Sequence, residues 1–147
     1  MRFMILVKAN KDSEAGKMPS AELIAAMGRY NEEMLKAGVM LAGEGLKDTS
    51  QGVRLKFGTT KGAKPTVKNG PFTPVGEQLA GFWMIQVKSK QEAVDWAMRI
   101  PFTEGEEVEI RPVFEMEDFP ADVMPPEEVA KEQKMREELD RRSGARS

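Results

Sequence analysis

The five residues Phe3-Met4-Ile5-Leu6-Val7 are apolar without a break. A strand sends successive side chains to opposite faces, so this one offers no polar face to water. Phe82-Trp83-Met84-Ile85 repeats the pattern. Two such strands require a sheet that is covered on both sides. Helices to cover it are few. Ser20 is a suitable N-cap, with Glu22 in the first turn. Leu23, Met27, Tyr30 and Met34 follow at helical spacing, flanked by Ile24 and Leu35, and Gly38 closes the segment. Ser89 and Glu92 form the Ser-x-x-Glu of a capping box. Ala93, Trp96, Ala97 and Ile100 share one face of the helix that follows, and Pro101 stops it. Two helices shield one face of a sheet. The other face needs a second partner, and a second copy of the chain, packed sheet to sheet, is the expected one.

Further strands complete the plan. Val39 to Leu46 is apolar, with Glu44 between Gly43 and Gly45. Val53, Leu55 and Phe57 alternate with Arg54 and Lys56, which predicts a half-exposed strand. A basic turn over 58–64 leads to Thr66–Lys68, which can fold back on it as a hairpin. Val108, Ile110 and Phe114 alternate with Glu107, Glu109 and Arg111 in a last strand. Asn10 to Pro19 is polar and reads as a loop. Without the hairpin the order is β-α-β-β-α-β, the split βαβ plan of the ferredoxin-like α+β fold.

That domain spans residues 1–114. Residues 115–147 differ in kind. Pro120, Pro125 and Pro126 separate them from the domain, and Pro126 can open a helix. Glu127–Lys131, Glu132–Arg136, Glu137–Arg141 and Glu138–Arg142 are acid-to-base pairs four apart. Only Val129, Met135 and Leu139 give this helix an apolar side. It is expected to be mostly solvated, with 143–147 frayed.

The chain has 147 residues, a net charge of -2, no Cys and no His. No apolar run approaches the ~20 residues of a membrane helix, and the N-terminus lacks the features of a signal peptide. No Cys means no disulfide framework and no thiol chemistry, and the expected compartment is the cytoplasm. Scattered Lys and Arg, without interleaved aromatics, disfavour nucleic acid as a partner. The lack of His removes the commonest general base and transition-metal ligand, and with them a Ser-His-Asp triad or a His-ligated haem. No spacing suggests a metal site or a resident cofactor, and Gly58-Thr59-Thr60-Lys61-Gly62 lacks the order of a phosphate loop.

The remaining chemistry is carboxylate, amide and guanidinium. Asn69-Gly70-Pro71-Phe72-Thr73 is a shaped turn that delivers Glu77 near the start of a buried strand. Glu44 and Glu77 are the candidate acid–base pair if both face one cavity. Arg54 and Arg111 stand on the polar sides of their strands, where they could clamp an anion or merely neutralise Glu44, Glu109 or a partner's acid. Tyr30 is either core with its hydroxyl at the rim or a pocket residue. Asn69 can cap its turn through its side chain.

Several of these motifs carry a resemblance. Asn69-Gly70-Pro71-Phe72, then Glu77-Gln78-Leu79-Ala80-Gly81-Phe82, resembles the signature of the DGPF-domain branch of the YCII-related family. Gly43-Glu44-Gly45-Leu46, Glu92 to Ala97 with Ile100-Pro101, and Val108 to Val113 match further pieces in order. The resemblance covers residues 1–114 and implies a dimeric α+β barrel. Two departures matter. Asn69 stands where the family has Asp, and the family's basic residue before Glu77 is Gly76. A His–Asp pair proposed for the wider family does not transfer. Trp83 replaces a family Tyr and is expected to line a pocket.

The expected function is binding of a small molecule between the sheet and the dimer partner, through Tyr30, Glu44, Arg54, Asn69, Trp83 and Arg111. The alternatives are a cofactor-free enzyme of monooxygenase or isomerase type on the same scaffold, and a regulatory module that contacts another protein through its last helix.

Overall fold

The structure, a computed structural model, describes residues 1–145 and divides into two compact units, Met1–Val113 and a second that begins at Phe114. In the first, β1 (Arg2–Lys8), β2 (Met40–Gly45), β5 (Leu79–Gln86) and β6 (Val108–Pro112) form one sheet in the order β2-β5-β1-β6. Every neighbouring pair is antiparallel. Helices α2 (Ala21–Lys36) and α3 (Lys90–Ala97) make the two crossovers. This is the ferredoxin-like α+β fold. The inserted strands β3 (Val53–Lys56) and β4 (Thr66–Asn69) pair, among the described residues, only with each other.

Strand register assigns each side chain to a face. Phe3 lies opposite Ile85, Ile5 opposite Trp83 and Ile110, and Val7 opposite Val108. These residues share one face with the core side chains of both helices, Tyr30 and Met34 from α2 and Ala93 from α3. Phe3, Ile5, Met34 and Ile85 are fully buried there. Aromatic edges lock the layer. Tyr30 meets Trp83 at 5.6 Å between ring centres and 84° between planes, and Trp96 at 6.5 Å. Trp83 leans over Gly43 on the neighbouring strand, where a Cβ would come within 2.7 Å of its indole. Both polar tips are satisfied: the Tyr30 hydroxyl donates to the Trp96 carbonyl at 2.8 Å, and Trp83 Nε1 donates to Asn31 Oδ1 at 2.9 Å.

Local signals set the helix ends. Ser20 caps α2 by accepting from the Leu23 amide, and Gly38 takes the left-handed conformation just beyond it (φ 73°). Three local expectations are corrected. The stretch expected as a loop contains α1 (Lys11–Glu14), capped reciprocally by Asn10 and Ser13 at 2.9 Å each. The Ser89–Glu92 box forms in half: Ser89 accepts from the Glu92 amide, but the Glu92 carboxylate accepts from Lys88 rather than Ser89. Strand β3 is exposed throughout instead of half-exposed, because the β3–β4 ribbon packs chiefly on itself.

The second unit opens with the Phe114 and Phe119 rings 5.2 Å apart and ends in α4 (Pro126–Ala145). Glu132–Arg136 and Glu138–Arg142 pair as expected, at 3.1 and 2.9 Å. Lys131 turns instead to Glu128, and Arg141 to Glu138. Ser143 to Ala145 stay helical where fraying was expected, and the rest of that expectation, 146–147, lies outside the described residues. Among the described residues no helix is long and apolar enough to cross a membrane.

Met34 is 0% exposed beneath the sheet. Met34→Ala should therefore cost about 2–5 kcal/mol, read as a lowered urea midpoint with an unchanged slope.

Candidate functional site

The loop from β4 to β5 is held by the side chains of Thr49, Arg54 and Gln78, with Glu14 behind Thr49. Gly70 donates its amide to the Gly52 carbonyl at 3.0 Å, and a Cβ there would overlap the Thr49 carbonyl. Only glycine fits this approach. The Gly70–Pro71 and Thr73–Pro74 peptides are both cis. The Phe72 amide donates to Thr49 Oγ1 at 2.9 Å, and that hydroxyl donates in turn to Glu14 Oε2 at 2.5 Å. Glu14 Oε1 also accepts from the Thr49 amide at 3.0 Å. One carboxylate on α1 thus holds the turn after β2, which holds the proline loop.

The Phe72 ring is buried, and the Arg54 guanidinium lies over it at 3.9 Å. Arg54 also donates to Gln78 Oε1 at 2.7 Å. Gln78, 5% exposed, donates Nε2 to the Pro74 carbonyl at 3.0 Å, and its own carbonyl accepts from Ala9. A guanidinium held by an aromatic face and an amide is fixed in direction. Its partners are groups of the loop.

The structure separates the other candidates into four places. Tyr30 and Trp83 meet in the core between the helices and the sheet. Asn69 ends β4, exposed, opposite Val53 at the root of the ribbon. Glu44 and Arg111 stand on the sheet face away from the helices. Glu44 lies opposite Phe82 on β5, and Arg111 opposite Met4 on β1. They occupy the two edge strands, three strand spacings apart, or about 14 Å. They do not meet within the chain. Arg111 has Glu109 as its neighbour at 3.8 Å. Glu77, exposed, sits in the 3-10 turn before β5, several residues short of Phe82, the strand position opposite Glu44.

Between Glu44 and Arg111 lies an apolar stripe. The row Glu44–Phe82–Leu6–Glu109 crosses the sheet, and Ala42–Met84–Met4–Arg111 runs beside it. Met4, Leu6, Phe82 and Met84 are half-buried and take no part in the helix-side core. Among the described residues no three acidic side chains converge as a metal cage requires.

Glu14 and Thr49 were not legible as partners. They are far apart in sequence, and neither carries a motif. The electrostatics are otherwise quiet. Ser50 and Gln51 donate to the Asp48 carboxylate and hold it below the usual carboxylate range. Burial pushes the Tyr30 hydroxyl up to about 12, which the positive Arg99 opposes and Glu33 reinforces.

Tyr30 is the chain's one tyrosine, so tyrosinate absorbance reads it directly. Its titration midpoint should sit near 12 in the folded protein and near 10 once unfolded. The raised pKa means that this contribution to stability is whole below pH 10 and is lost as pH rises toward 12. Tyr30→Phe should flatten that part of the stability profile. In the loop, Thr49→Val leaves the Phe72 amide without its acceptor. A loss of roughly 1–3 kcal/mol and faster hydrogen exchange at that amide are expected.

No curated protein matches the chain. The family model of the YCII-related domain matches residues 1–117, the whole sheet-and-helix unit described above, and the chain therefore belongs to the YCII-related family.

Proposed function

We propose that this protein binds a small molecule in a pocket formed when the uncovered faces of two sheets come together in a homodimer. The observation that supports it is the stripe of Met4, Leu6, Phe82 and Met84 down the two central strands, bordered by Glu44 on one edge strand and by Glu109 and Arg111 on the other. Ligand pockets are mostly apolar, with a few polar groups that fix orientation. The same face has too much apolar surface to serve well as a solvated exterior. The ligand class that suits it has an apolar body, an anionic end for Arg111 and a hydrogen-bond donor for Glu44.

Tyr30 and Trp83 serve this pocket from beneath, by holding β5 in place, since Phe82 and Met84 alternate with Trp83 along it. Arg54 holds the loop that enters β5, and Asn69 stands where that loop leaves β4. The Gly70-Pro71-Phe72 turn supports assignment to the DGPF branch. A cytoplasmic location without a resident cofactor belongs to the same proposal. The enzyme alternative would take its base from Glu44 or Glu77, which stand on separate elements. The regulatory alternative is favoured by one observation: Met135 and Leu139, four apart on α4, are 55% and 57% exposed.

Light scattering should give at least twice the 16.4 kDa chain mass. A metabolite library screened by thermal shift should contain acids that stabilise the wild type. Glu44→Ala and Arg111→Ala, both at exposed positions, should bind them about tenfold or more weakly, the loss of roughly 1.4 kcal/mol. A ligand that stabilises both variants as well as the wild type would place the pocket elsewhere, and a monomeric wild type would remove the pocket altogether.

A further inference from the structure

The β3–β4 ribbon is the part of the first unit that the reading above leaves unused. Its pairing is Val53 with Asn69, Arg54 with Lys68, Leu55 with Val67 and Lys56 with Thr66. One face therefore carries Val53, Leu55 and Val67, and the other carries Arg54, Lys56 and Lys68. The apolar face is bare: Val53 is 56% exposed, Leu55 55% and Val67 63%. Beyond its root, where Arg54 and Gly70 bond to the loop and to Gly52, the ribbon packs chiefly on itself. An isolated two-stranded hairpin is marginal in water, so a ribbon of this kind gains from a third strand.

Charge indicates which strand. From Gly52 to Gly76 there are five cations and no acid. Lys56, Lys61, Lys64 and Lys68 are exposed, and none has an ion pair among the described residues. The complement lies on the same chain. Glu104, Glu106, Glu107 and Glu109 fall within six residues that contain no base. They lead into β6, the edge of the main sheet, with β1 on one side and, among the described residues, no strand on the other. Along β6, half-buried Val108 and Ile110 alternate with exposed Glu107 and Glu109. A basic–apolar ribbon laid beside an acidic–apolar edge places apolar against apolar on one face and base against acid on the other.

We propose that the β3–β4 ribbon of one copy adds to the open β6 edge of a second copy, as a strand-addition contact guided by the lysines. Main-chain hydrogen bonds supply the attraction, and the alternating charges set register and exclude pairing of two like ribbons. Closed two-fold symmetry makes the exchange reciprocal. This contact runs through the β6 backbone edge and needs neither a ligand nor Phe82, although Glu109 lies on the face that carries Phe82.

A mixture of isotopically light and heavy protein, treated with a zero-length carbodiimide, tests it on the full chain. The expected products are light–heavy crosslinks that join Lys56, Lys61, Lys64 or Lys68 to Glu104, Glu106, Glu107 or Glu109. Raising the salt from dilute to near-molar should lower their yield about tenfold, because exposed charges are screened. Leu55→Asp and the double variant Lys56→Glu, Lys68→Glu alter exposed positions and should abolish the crosslinks with far-ultraviolet dichroism unchanged. Phe82→Asp, aimed at the sheet face, should leave them in place. Crosslinks found only within one copy would overturn the proposal, as would their loss in Phe82→Asp. Retention of duplex DNA by the lysine face, with no crosslink between copies, would assign the ribbon to nucleic acid instead.

Discussion

Everything in the first unit follows from two central strands that are apolar on both sides. β1 and β5 lie in the middle of the sheet, and their odd and even residues face different worlds. Ile5, Phe3, Trp83 and Ile85 are sealed beneath two helices. Met4, Leu6, Phe82 and Met84 sit on the far face and stay out of that core. A shift of one residue in register would exchange the two sets, so burial on the helix side also fixes what the other side displays. The helix face therefore specifies the candidate binding face, although the two share no side chain.

The loop before β5 solves a different problem. A segment with two prolines and few backbone donors needs other means of attachment. Glu14 and Thr49 supply one, through the Phe72 amide. Arg54 and Gln78 supply another, through the Phe72 ring and the Pro74 carbonyl. Polar groups that the chain's composition would permit to act on a substrate are here used to hold backbone. In a chain without His or Cys this division of labour matters, because carboxylates and guanidinia must serve both ends.

Much of the fold was legible because local and periodic signals agreed. Ser20, Gly38 and Ser89 mark helix ends that the structure respects, and the doubly apolar strands occupy the centre of the sheet. The misses have physical causes. The Asn10–Ser13 box stabilises a helix too short to show a period. The alternation in β3 is genuine, yet alternation cannot reveal that nothing packs on the apolar side. The candidate site was legible by residue type and less so by place. Tyr30 and Trp83 sit on one face of the sheet, and Glu44 and Arg111 on the other, because register over four strands is a long-range property. The Glu14 tether, formed across 35 positions, left no local trace.

The segregation of charge has a consequence for how the molecule is sensed. A net charge of -2 describes the protein only from afar. At physiological ionic strength fields fade over about 8 Å, so an approaching body responds to the nearest patch and not to the sum. The ribbon presents itself as a polycation and the stretch before β6 as a polyanion. Such a molecule is expected to be retained by cationic and anionic matrices alike. It also turns as it approaches a charged surface, so that its orientation is set before any contact is made.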